Sequence, residues 1–273
     1  MVRLLVAVVL LLGACGGSVV ADAAEAAPRV GPPRGTLFIV GGGAMGGLWA
    51  EFLRLAGGKD AVIVVIPTAN TEVVDDDKAS VALRRLGATR VVQLHTRDRA
   101  VADTEEFTAP LRAAAAVWIT GGRQWRLTDA YLGTRTEREL HALLARGGVI
   151  GGSSAGATIQ GSYLVRGARG DNTIMMAPGY EQGFGFLRDS AIDQHVNTRG
   201  RAEDLRPVLR RHPHLLGIAI DEATALIVTG DTGVVRGAGV TRFLTAADAP
   251  AIELRAGGRF DLAARACVAD DAK

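Results

Sequence analysis

The sequence predicts an α/β protein: a parallel sheet flanked by helices, followed by a β-rich C-terminal portion. Three observations predict it. From residue 35 to about residue 156, short apolar runs alternate with segments whose apolar residues recur at helical spacing. Several runs, such as AVIVVIPTA, are β-branched and apolar throughout, as expected of strands buried on both faces. Three runs end in glycines, at 41–43, 121–122 and 151–152. In an open α/β sheet these carboxyl ends share one rim, where ligands gather.

Each element follows from its local pattern. GTLFIVGGG (35–43) is a strand, and LWAEFLRLAGG (48–58) a helix stopped by glycine. AVIVVIPTA (61–69) is a strand, DDDKASVALRRLGA (75–88) a helix and TRVVQLHT (89–96) a strand. TEEFTAPLRAA (104–114) is helical, AAVWITGG (115–122) a strand, and TDAYLGTRTERELHALLARGG (128–148) one helix. GVIGGSSAG (148–156) is a strand running into a sharp turn. The acids at 75–77 suit a helix N-terminus, where the helix dipole favours them. Beyond residue 161 the texture changes. Residues 179–189 are loop-rich, and residues 215–246 alternate short strand-like runs with tight turns. No repeat or second core is evident, so residues 35–273 are read as a single domain.

The 273 residues are 48% hydrophobic and 22% charged, with a formal net charge of +2. The basic residues are scattered, which argues against a nucleic-acid partner. Residues 1–26 have the form of a signal peptide: Arg3, then an apolar run over 4–12 too short to span a bilayer. Two cleavage readings compete. LGAC places Cys15 where a bacterial lipoprotein is lipidated, which makes 1–14 the signal. Ala24-Glu25-Ala26 is a site for ordinary secretion. Either route exports the chain to the periplasm or beyond, free or anchored through Cys15. Residues 27–34 read as a flexible linker. Cys267 then has no partner in the chain, and neither a disulfide nor a cysteine metal site is expected.

Two glycine motifs carry chemistry. GGGAMGG fits GxGxxG at Gly41, Gly43 and Gly46, after a strand and before a helix. A nicotinamide site would also want an acid at the end of the second strand, where this chain has Pro67-Thr68-Ala69-Asn70. A tight turn, or backbone N–H groups offered to a substrate, are the remaining readings. GGSSAG satisfies GxSxG with Gly152, Ser154 and Gly156. On a strand–turn–helix corner such a serine projects outward as a nucleophile, with the following N–H facing an incipient oxyanion. An ordinary small-residue turn is the competing reading.

A serine nucleophile needs a base. Among five histidines, His95 lies beside a strand and His141 in a helix. His212 and His214 flank Pro213 with no third metal ligand in view. His195 stands in IDQHVNTRGR between an acid, an amide and two arginines, and is favoured as the base. Asp193, Asp221 and Glu222 are candidates for its orienting carboxylate. Arg199 and Arg201 suit a carboxylate-bearing substrate.

Four motifs in fixed order, ITGGRQWRL, GGSSAGAT, IDQHVNTRGR and GIAIDEATAL, resemble cyanophycinase and the related aspartyl dipeptidase-like serine peptidases. The resemblance covers residues 35 to 243. It implies a fold similar to class I glutamine amidotransferase (flavodoxin-like) domains. It implies Ser154 as nucleophile, His195 as base and Glu222 as orienting carboxylate, with an oxyanion hole from the backbone of Gly122 and Ala155. It implies a cleft lined by Gln124, Asp193, Gln194, Arg199 and Arg201, Asp193 meeting a substrate guanidinium and the arginines a carboxylate. The implied substrate is a β-aspartyl-arginine polymer or a related aspartyl peptide, with no metal or organic cofactor. The chain departs from the family in reading Gly-Ser-Ser before the turn, and in carrying Asp204 where an arginine is usual. A non-catalytic envelope binding protein on the same fold is the reading from another class. Oligomeric state, a homodimer included, is left open.

Overall fold

The computed structural model describes residues 30–269 apart from Val73. The predicted signal segment and Cys15 lie outside the described residues. Parallel strands and covering helices alternate as the sequence predicts. In chain order they are β1 (Thr36–Val40), α1 (Leu48–Leu55), β2 (Val62–Ile66), α2 (Lys78–Arg85), β3 (Arg90–Gln93), α3 (Arg99–Ala102), α4 (Glu105–Ala113), β4 (Ala116–Ile119), α5 (Gln124–Tyr131), α6 (Arg135–Ala145), β5 (Val149–Ser153) and α7 (Ala155–Thr158). Then come β6 (Gly161–Tyr163), β7 (Leu187–Gln194), α8 (Val196–Arg199), α9 (Arg206–Arg211), β8 (Leu216–Ile220), β9 (Thr224–Thr229), β10 (Thr232–Gly237), β11 (Thr241–Leu244), β12 (Ile252–Leu254), β13 (Arg259–Asp261) and β14 (Ala266–Cys267).

A nine-stranded sheet runs β14-β13-β10-β9-β1-β5-β4-β2-β3. Its β1, β5, β4, β2 and β3 are parallel, and β9 extends it antiparallel beside β1. The three glycine-rich strand ends therefore meet: β5 lies between β1 and β4, with Ile39 and Ile119 both opposite Gly152. Strand alternation sorts the side chains onto two faces. Phe38 and Val40 pack with Phe52 and Leu83 under α1 and α2. Leu37 and Ile39 join a larger core shared with α5, α6 and the inner face of a second sheet.

Four details differ from the sequence reading. The expected single helix over 128–148 is two, α5 and α6, broken where Gly133 takes φ 75°, a left-handed conformation glycine tolerates. The β-rich portion divides: β9, β10, β13 and β14 extend the main sheet, while β12-β11-β8-β7-β6 form a second one. That second sheet has its own outer cluster, in which Leu205, Val208 and Leu209 cover Ala191 and Ala219, so apolar packing is not confined to one core. The linker is fixed from Val30 onward. The N–H groups of Val30 and Gly31 donate to Asp231 Oδ1 at 2.8 and 3.0 Å, and the Val30 carbonyl accepts from Arg188 N.

The acidic run behaves as expected: Asp77 caps α2, its Oδ1 accepting from the Ala79 N–H at 2.8 Å.

Candidate active site

Ser154 sits at the corner between β5 and α7 with φ 55° and ψ −113°, a backbone region that residues with a Cβ rarely enter. Its N–H donates to Val40 O at 3.0 Å, tying the corner to β1. The flanking glycines are forced by close approach. A Cβ on Gly152 would stand 2.2 Å from Gly156 O, and one on Gly156 would stand 2.0 Å from Ile119 O. The GxSxG spacing is thus a packing requirement of the corner that thrusts Ser154 outward.

Ser154 Oγ lies 2.9 Å from His195 Nε2, and His195 Nδ1 lies 2.5 Å from Glu222 Oε1. His195 follows β7 in a left-handed conformation, φ 56°, held by its N–H donating to Gly41 O at 2.8 Å. Glu222 occupies the turn between β8 and β9. Its N–H donates to Asn197 Oδ1 at 3.0 Å, and Thr198 Oγ1 donates to its Oε1 at 3.0 Å. Both residues rest on the first glycine motif. A Cβ on Gly42 would fall 2.2 Å from the imidazole Cε1, and one on Gly43 2.7 Å from Glu222 Oε2. The glycines at 41–43 therefore form the seat of the imidazole and carboxylate, a use that none of the three sequence readings of GGGAMGG named.

Burial pulls the His195 pKa below the ordinary histidine value, offset in part by the hydrogen bond to Glu222. The Glu222 carboxyl is held below its ordinary range, first by the His195 hydrogen bond and then by that from Thr198. A neutral imidazole beside an ionised carboxylate results, which is the state a general base needs. Ser154 Oγ also lies 3.4 Å from Gln194 Oε1, but its single proton serves the shorter contact to His195.

The other candidate acids are committed elsewhere. Asp221 Oδ1 accepts from Arg242 at 2.7 Å and Oδ2 from Val240 N at 3.0 Å. Asp193 corrects the expectation of a substrate-facing carboxylate. It is fully buried, and Arg166 donates to both its oxygens at 2.8 Å. Arg166 also donates to Asp204 at 2.5 Å. The guanidinium that Asp193 receives is the protein's own. Arg201 is buried too and donates to Gln194 O at 3.1 Å, so it does not face a cleft either. Gln124 and Gln194 are nearly covered, with Gln124 Nε2 donating to Val165 O at 3.4 Å, whereas Arg199 is exposed beside the histidine. Gly122 lies on the β4 rim, and Ala155 opens α7, whose first N–H groups have no partner within the helix.

Sequence reasoning missed Arg166, Asn197 and Thr198. Arg166 lies in a loop-like stretch with no pattern. Thr198, three residues after His195, could have been flagged as a short-range partner for the same carboxylate.

A family model described as peptidase family S51 matches residues 37–235. The chain belongs to peptidase family S51. It is similar to the cyanophycinase of Geminocystis herdmanii, at 31% identity over 185 residues, 66% of this chain and 68% of that protein. It is also similar to the cyanophycinase of Synechococcus elongatus, at 33% identity over 185 residues, 66% of this chain but only 57% of that protein. Among solved structures, a peptidase from an acI-B1 Actinobacterium has the same fold, with a TM-score of 0.68 at 24% identity, covering 84% of this chain and 97% of that one. Membership of S51 makes this a serine-type peptidase with a mixed α/β fold, as the four motifs imply.

Proposed function

We propose that the chain is an exported peptidase of the cyanophycinase type, hydrolysing a β-aspartyl-arginine polymer or related aspartyl peptides through Ser154, His195 and Glu222. The observation that carries the reading is the continuous Ser154–His195–Glu222 contact, with steps of 2.9 and 2.5 Å, in a member of S51. His195 Nε2 takes the Ser154 proton as Oγ attacks the scissile carbonyl carbon. Glu222 accepts the Nδ1–H hydrogen bond, fixes the tautomer and stabilises the imidazolium. The N–H groups of Gly122 and Ala155 hold the oxyanion. His195 then protonates the leaving amine as the C–N bond breaks, and water, deprotonated by the same imidazole, releases the acyl group.

The relatives named cyanophycinases support the polymer as substrate. The Arg166–Asp193 pair favours a second reading of the same site, an exopeptidase for other short aspartyl peptides, because the expected guanidinium acceptor is already filled. Export, free or through Cys15, rests on the apolar run and small-residue sites before residue 27. The test is a hydrolysis panel on purified protein and its Ser154→Ala variant, with cyanophycin and β-aspartyl dipeptides side by side. Turnover of either substrate by the parent alone upholds the mechanism. Turnover by the variant at the parental rate rejects it, and binding without turnover by the parent favours a non-catalytic protein.

A further inference from the structure

Glu222 is less sheltered than the histidine it serves. Its side chain is 29% exposed, against 11% for His195, so water reaches the carboxylate and competes for it. The turn that carries Glu222 is pinned from the loop after β1. The Ala223 N–H donates to Gly42 O at 2.8 Å, and the Gly41 N–H donates to Thr224 O at 3.0 Å. Those bonds place the turn but use neither the Glu222 N–H nor its carboxylate. Both of these are taken by α8, the short helix that follows His195 and is anchored by buried Val196. Asn197 Oδ1 accepts from the Glu222 N–H, and Thr198 Oγ1 donates to Glu222 Oε1, each at 3.0 Å. Oε1 thus receives two donors, the Thr198 hydroxyl and the His195 Nδ1–H. Thr198 Oγ1 also lies 3.4 Å from the His195 carbonyl, but its one proton goes to the nearer, charged oxygen.

We propose that Asn197 and Thr198 are positioning residues with separate tasks: Asn197 fixes where Glu222 stands, and Thr198 sets how strongly the carboxylate draws on the imidazole. The inference rests on the reading of His195 as base and goes beyond it by naming what sets the strength of that base. A donor at Oε1 stabilises the anion there and weakens its hold on the Nδ1 proton. Without the Thr198 hydroxyl the carboxylate draws harder, imidazolium is favoured, and the neutral base forms only at higher pH. Without the Asn197 amide the Glu222 main chain turns, its carboxylate leaves the ring, and the neutral base persists to lower pH. The two side chains therefore act on His195 with opposite sign. The other charges facing the pair stay in place in both variants. Arg199 of α8 and Arg201 beyond it oppose the imidazolium, Asp221 is paired with Arg242, and Asp193 is paired with Arg166.

Both side chains are exposed, so substitution leaves the core intact. With β-Asp-Arg as substrate, the midpoint of the acid limb of kcat/KM should rise by about half a pH unit in Thr198→Val and return to the parental value in Thr198→Ser. In Asn197→Ala it should fall, with kcat about tenfold lower. The His195 imidazole is also titrated by NMR in the Ser154→Ala protein, where no turnover is involved. There the same two substitutions should move its pKa in the same opposed directions. An unmoved pKa in either variant, shifts of the same sign in both, or a Thr198→Ser protein that behaves as Thr198→Val would overturn the proposal. Opposed shifts in the NMR titration, with no peptide cleaved by the parent, would uphold the two roles and reject the hydrolytic reading.

Discussion

At the scale of single residues, the site depends on backbone conformations that side chains normally avoid. Ser154 at φ 55° and His195 at φ 56° are both held by hydrogen bonds to β1 and the loop that follows it. Such conformations store roughly 1–3 kcal/mol each and persist where surrounding contacts over-determine them. Ser154→Ala should lower kcat by about a thousandfold or more in a peptide hydrolysis assay while leaving the thermal transition in place. Gly42→Ala should be nearly as damaging without removing any reacting atom, because its methyl would fall 2.2 Å from the imidazole. A displacement of that kind is expected to lower kcat/KM by about a hundredfold. The acid limb of the kcat/KM profile should have its midpoint below pH 6.5, since burial depresses His195 and the neutral imidazole is the active form. Rate is therefore lost as pH falls through that depressed value, and a midpoint above 6.5 would contradict the assignment. The serine was legible in GxSxG and the histidine in its polar neighbourhood. The choice of Glu222 over Asp193 and Asp221 came from the family resemblance alone, since the residues themselves left all three open. Asp221 and Glu222 are adjacent in sequence, and only the fold turns Asp221 toward Arg242 and Glu222 toward His195.

At the scale of elements, the carboxyl end of β7 is the part least readable from the sequence. Asp193 looked like a free acid in a polar motif, yet it faces inward, and Arg166, 27 residues earlier, closes on it. Arg166 is 1% exposed and bridges Asp193 in β7 to Asp204 ahead of α9, so it locks the strand that delivers Gln194 and His195. Arg166→Met leaves Asp193 buried without its partner and should cost about 3–5 kcal/mol in urea-induced unfolding. Adding Asp193→Leu to that variant should recover part of the loss, because the unpaired carboxylate goes with its partner, and only part, because buried Arg201, 3.9 Å from Asp193 Oδ1, then loses that anion. Asp204 was legible as a departure from the family. Its role as a second partner for Arg166 was not, because the pairing spans 38 residues and an irregular loop.

At the scale of the whole molecule, the two sheets share apolar contacts rather than a linker. Phe243 of β11, in the second sheet, stacks on Phe260 of β13, in the first, with centroids 3.8 Å apart and both rings fully buried. Phe260→Ala should destabilise the protein by about 3–5 kcal/mol in denaturant unfolding. It should also affect spectroscopic probes of both sheets together, since the core they share spans both. Independent transitions for the two sheets would count against that coupling.

By itself the sequence determined the alternating α/β order, the glycine-ended strands that share a rim, and the serine and histidine that face each other there. These are local signals: apolar periodicity names the element, and a crowded corner admits only glycine. Tertiary structure alone decided that Asp221 turns away to Arg242, that the glycines at 41–43 seat the imidazole, and that Asp193 belongs to Arg166. Those outcomes depend on contacts between segments tens to more than a hundred residues apart, and on which face of a strand each side chain occupies once its neighbours are in place.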